Sequence, residues 1–127
     1  MSENRAIILA SIWTIVILVL VGIPGNSLPK TSGWVDLLQP DKLIHIGMFT
    51  PFTLFWLSVF IHKKHSINKS ILIVGAFGII YAFLTEVLQH YVFIGRNANL
   101  PDAIADTFGV VIGLVLCKKL YSNMAVK

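Results

Sequence analysis

The sequence predicts an all-α bundle of four transmembrane helices, and three observations carry that expectation. The chain has 127 residues, enough for one domain. Its composition is 56% hydrophobic and only 13% charged, more apolar than a soluble interior of this size can hide. Its apolar residues also gather in four stretches, near 6–23, 43–61, 71–94 and 103–117. Each approaches the roughly 20 residues that cross about 30 Å of hydrocarbon.

The first stretch, Ala6 to Ile23, is longer than the apolar region of a secretory signal, and no A-x-A-like cleavage site follows it. It reads as a retained helix. Pro24-Gly25-Asn26-Ser27 ends it and opens the longest connection, 24–42. Within that connection Trp34-Val35-Asp36-Leu37-Leu38 reads either as a short interfacial helix or as a bare loop. The second stretch contains Pro51, which removes a backbone donor and kinks a helix unless neighbours satisfy the freed carbonyl. The third carries Gly75 and Gly78. The fourth, the shortest, carries Ala105, Gly109 and Gly113 at four-residue intervals and relies on Lys118 or Lys119 to reach the interface. Small residues so spaced let helix backbones approach closely. They serve packing within the bundle or, as a minority reading, a homodimer interface. The whole chain, 1–127, forms a single domain.

Charge sets the expected orientation. Lys63, Lys64 and Lys69 lie between the second and third stretches, Lys118, Lys119 and Lys127 follow the fourth, and Arg5 precedes the first. The positive-inside rule then puts both termini and the middle connection, with His62 and His65, in the cytoplasm. The net charge of +4 is topological, because no aromatic-basic recognition motif accompanies it and nucleic acid is not an expected partner. A single cysteine, Cys117, excludes an intramolecular disulfide and a multi-cysteine metal site.

This orientation collects the remaining polar groups at the outer mouth. Asp41, Lys42 and His45 start the second span, Glu86, Gln89 and His90 end the third, Arg96 lies in the next connection, and Asp102 and Asp106 start the fourth. Residues three or four apart share a helical face, which pairs Asp41 with His45, Glu86 with Gln89 and His90, and Asp102 with Asp106. His45, Glu86 and Asp106 are the deepest, about one turn or 5 Å inside their helix ends. Ionisable groups at such depth face a bundle interior or a wet cavity and mark candidate sites. Plainer roles stand beside this: Asp102 suits the positive end of a helix dipole, Asp41 suits a helix start, Gln89 can bond a neighbouring helix, and His90 beside Tyr91 suits the interface.

Three chemistries can use this set. In the first, Lys42, Arg96 and protonated His45 hold a phosphate or carboxylate of a lipid headgroup or cell-wall precursor, with Asp41, Asp102, Asp106, Glu86 and Gln89 completing the ligand-binding set. In the second, His45, Glu86, Asp102 and Asp106 hold a divalent metal such as zinc or manganese. In the third, Glu86, Asp106 and His45 activate water for hydrolysis by acid-base catalysis. Ser27, Ser32 and Cys117 form no recognisable nucleophile system. A fourth reading is a structural subunit that docks a partner helix on the small-residue stripe.

The segments Asp41-Lys42-Leu43-Ile44-His45, Glu86-Val87-Leu88-Gln89 and Gly95-Arg96, followed by Asp102-Ala103-Ile104-Ala105-Asp106-Thr107-Phe108-Gly109 with Gly113, resemble the VanZ-like family of small bacterial membrane proteins. The resemblance covers about residues 41 to 116. Its founding member is associated with low-level resistance to the glycopeptide teicoplanin. The match implies a multi-pass protein of the bacterial cytoplasmic membrane and brings no defined reaction with it. One position departs from the pattern: the family usually has Asn where this chain has Asp106.

Overall fold

The computed structural model describes residues 2–24, 40–93, 95 and 100–125. Among them lie four α-helices: α1 (Glu3–Gly22), α2 (Pro40–His62), α3 (Ile67–Tyr91) and α4 (Leu100–Ala125). No strand occurs among the described residues. All four helices are long and apolar enough to cross a membrane. The segment 34–38, read as a short interfacial helix or a bare loop, lies outside the described residues.

Helix ends differ from the sequence expectation by a few residues. The largest difference is at α4, which was expected to be the shortest span and is instead the longest helix, at 26 residues. Its apolar stripe stops near Cys117, but Lys118, Lys119 and Leu120 are good helix formers, and nothing in the sequence halts the helix there. The membrane limits the apolar stretch and leaves the helix free to extend beyond it.

The bundle's surface inverts the soluble pattern. Leu72, Ile80, Val19, Ile15 and Phe108 are all exposed, as hydrocarbon contact permits. The interior holds Phe49, Phe52, Tyr81, Ile17, Val21 and Val110, with Phe52 and Tyr81 stacked at 5.1 Å between ring centroids. α2 is central, packing against each of the other three helices, most extensively against α4.

The glycine stripe of α4 explains that contact. A Cβ at Gly109 would lie 2.8 Å from the Ile46 carbonyl oxygen, and one at Gly113 would lie 2.6 Å from Thr53 Cβ. Thr50 Oγ1 donates to the Gly109 carbonyl at 3.1 Å across the same seam. Gly109 and Gly113 therefore pack directly against α2 of the same chain.

A polar network that the sequence reading missed ties α1 to the bundle. Trp56 Nε1 donates to Thr14 Oγ1 at 3.1 Å, and Tyr81 Oη donates to the Thr14 carbonyl at 2.7 Å. Trp13 Nε1 donates to the Met48 carbonyl at 2.8 Å. That carbonyl neighbours the one at Gly47 that Pro51 deprives of its usual donor, and α2 continues through Pro51 without interruption. Between spans two and three, the α2 terminus closes with Lys64 at φ 59°. Lys64 N–H donates to the Ile61 carbonyl at 3.0 Å and His65 N–H to that of Phe60 at 3.2 Å, the paired bonds of a Schellman turn. Ser66 then caps α3, accepting from Lys69 N–H.

Candidate functional site

The polar residues of three helices meet at the end of the bundle opposite that turn. α2 begins at Pro40, a residue suited to a first helical turn because its missing N–H would have no partner there anyway. α4 begins at Leu100-Pro101. Both helices start three residues earlier than their apolar stretches. His45 and Asp106 thus lie five and six residues inside their helices, about 7.5 and 9 Å along the axis. Glu86 lies five residues before the end of α3. The three are deeper than one turn, and all are buried: His45 is 3%, Glu86 6% and Asp106 0% exposed.

The geometry has an inner and an outer part that share His45. In the inner part, His45 Nδ1 lies 2.8 Å from Asp106 Oδ1. Glu86 offers a carboxylate oxygen to the same place, and one ligand atom each from His45, Glu86 and Asp106 lie within 4.8 Å of one another. Asp106 Oδ2 is buried with no hydrogen-bond partner among the described residues. In the outer part, His45 Nε2 is 3.9 Å from both Asp41 Oδ1 and Asp102 Oδ2. Lys42 closes this layer: its ammonium is hydrogen-bonded to Asp102 Oδ1 and lies 3.5 Å from Asp41 Oδ2. Lys42 is partly exposed, whereas Asp102 is buried.

Two other candidates behave differently. Gln89 is buried and donates from Nε2 to the Val21 carbonyl at 3.1 Å. That carbonyl belongs to the last turn of α1, which lacks helical donors, so Gln89 completes a helix end. His90 is exposed and stacks edge-on against Tyr91. Arg96 lies outside the described residues. Gly95, just before it, has φ 71°, a conformation that favours glycine.

A cavity of about 170 Å³ adjoins the outer layer. Leu20, Val21 and Ile23 of the α1 end and Ile44 and Met48 of α2 form its apolar walls, and Asp41 and His45 supply its polar part. Sequence reasoning missed it because α1 contributes no ionisable residue there.

Comparison with known families settles the broader identity. The VanZ/LLP1 family matches residues 6–122, nearly the whole chain. The chain belongs to the VanZ/LLP1 family. Comparison with curated proteins and with solved structures returned no match. Family membership and four apolar helices together make this a multi-pass membrane protein.

Proposed function

We propose that this VanZ/LLP1 protein binds an amphiphile of the bacterial cell envelope, with an anionic head at the polar mouth and an apolar part in the adjoining cavity. The observation that carries the reading is the shape of that cavity: apolar walls from α1 and α2 end on Asp41 and His45. Lys42, held by Asp41 and Asp102, supplies positive charge for a phosphate or carboxylate, and the sequence offers Arg96, between α3 and α4, as a second cation. The distribution of Lys and Arg supports an outward-facing mouth, with both termini in the cytoplasm and the bundle in the inner membrane. The family's association with teicoplanin resistance fits a ligand among phosphate-bearing lipids or cell-wall precursors. Purified protein reconstituted with phosphatidylglycerol or a polyprenyl phosphate provides the test. Lys42→Gln and Arg96→Ala are each expected to weaken binding by roughly 10-fold, equivalent to about 1.4 kcal/mol. Unchanged binding in both folded variants would sink the reading.

A second reading rests on the His45–Asp106 contact. A buried imidazole oriented by a carboxylate, with Glu86 beside it, is an arrangement suited to activating water. It predicts turnover of a lipid phosphate or ester by wild-type protein and a loss of roughly 100-fold or more in Glu86→Gln. The absence of turnover over a panel of such lipids removes it.

A further inference from the structure

We propose that His45, Glu86 and Asp106 bind one divalent transition-metal ion between α2, α3 and α4. The three ligand atoms lie within 4.8 Å of one another, and each residue is more than nine-tenths buried. Donors around a four-coordinate ion with bonds near 2.1 Å are about 3.4 Å apart, so small side-chain rotations close the set. A hydrogen bond to His45 Nδ1 occupies one oxygen of Asp106, and that bond is given up when Nδ1 turns its lone pair to the ion with the ring proton on Nε2; the other oxygen, Oδ2, is buried without a hydrogen-bond partner among the described residues. A desolvated carboxylate oxygen left in that state is costly, and a cation satisfies it. One imidazole and two carboxylates suit zinc or manganese.

The outer group, Asp41, His45 and Asp102, has comparable spacing but already contains a cation. The Lys42 ammonium bonds Asp102 and lies 3.5 Å from Asp41. It competes with a metal there and leaves the inner group as the site. The outer carboxylates gain a different role. With His45 Nδ1 turned inward, Nε2 faces Asp41 and Asp102 at 3.9 Å, and carboxylates on the far nitrogen orient a ligating imidazole. Three protein ligands leave a fourth position for an outside oxygen. If the amphiphile reading holds, on which this last step rests, that oxygen belongs to the anionic head. The ion then offsets a mouth in which, among the described residues, Asp41, Asp102, Asp106 and Glu86 outnumber Lys42.

The test uses the full chain in detergent, stripped with chelator and titrated with Zn²⁺ or Mn²⁺ alone. Calorimetry and elemental analysis after gel filtration are expected to show one equivalent. Glu86→Gln and Asp106→Asn, which keep side-chain shape, are expected to lower affinity by roughly 10-fold or more. Failure of wild-type protein to take up either ion overturns the proposal. So does loss in Asp102→Asn with full retention in Asp106→Asn, which would place the ion in the outer group. Cobalt-loaded wild-type protein gives a readout independent of variant folding. Weak d–d bands without thiolate charge transfer support the site, and a thiolate band assigns the ion to Cys117 and overturns it. Phosphatidylglycerol binding measured on the same preparations separates the two readings. Lipid binding without metal uptake overturns the metal site alone, and metal uptake without lipid binding supports the site while removing the amphiphile reading.

Discussion

Replacing Gly113 with valine is expected to force α2 and α4 apart and to lower stability by about 3 kcal/mol, the upper part of the overpacking range. Even the Cβ would sit 2.6 Å from Thr53 Cβ and 3.0 Å from the Thr50 carbonyl oxygen. Gly109→Val is expected to behave similarly, with the Ile46 carbonyl oxygen at 2.8 Å. Backbone atoms and a Cβ cannot swing aside as a side-chain tip can. Gly75 is the contrast, because its Cβ would meet only the flexible end of Leu114 at 3.2 Å, and Gly75→Ala should be mild. Gly47, with nothing within 4 Å of its Cβ, should be stabilised by alanine by about 0.5–1 kcal/mol through backbone entropy. Thermal unfolding in detergent checks the order. A Gly113→Val protein that melts with wild type would refute the α2–α4 seam.

The same stripe shows what could and could not be read from the chain. Residues 105, 109 and 113 repeat at the helical period, so a close-packing face was visible. The helix that fills it was not, since a stripe of small residues fits any neighbour and the choice depends on three-dimensional arrangement. The four spans were legible because about 20 apolar residues in succession have few alternatives. Their ends were not: Pro40 and Leu100 start helices in segments too polar to register as membrane. Thr14, Trp13 and Trp56 were overlooked for a related reason. Tryptophan suggests an interface, yet an indole N–H placed mid-span needs an acceptor. Trp13, near the middle of α1, was the available signal.

At the mouth, helical spacing brought His45, Glu86 and Asp106 forward, and the structure gathers those three residues. Spacing within one helix says which side chains share a face. It does not say how faces rotate against each other, so the division into an inner triad and an outer layer closed by Lys42 was out of reach. Gln89 illustrates the limit. Its position one turn from Glu86 suggested either the same ligand set or a bond to a neighbouring helix, and its amide makes the second, to the α1 carbonyl of Val21. Backbone acceptors at helix ends are invisible in a side-chain pattern, though every helix end has them.

Substituting His45 with leucine is expected to lower stability by about 3 kcal/mol, because it leaves the fully buried Asp106 carboxylate without its 2.8 Å partner. Asp106→Leu alone should cost less, about 1–3 kcal/mol, since the group left behind is an imidazole whose Nε2 still faces Asp41 and Asp102. The double substitution should recover much of the sum, because a buried polar pair replaced together by apolar side chains is often neutral or better. A double-mutant cycle by unfolding in detergent is therefore expected to give a coupling energy above about 1 kcal/mol. Strict additivity would mean that the two residues do not act as a pair. The folded double variant then carries the sharper information. If it melts near wild type yet no longer takes up Zn²⁺, the bundle can fold without these groups, and their burial serves binding rather than stability.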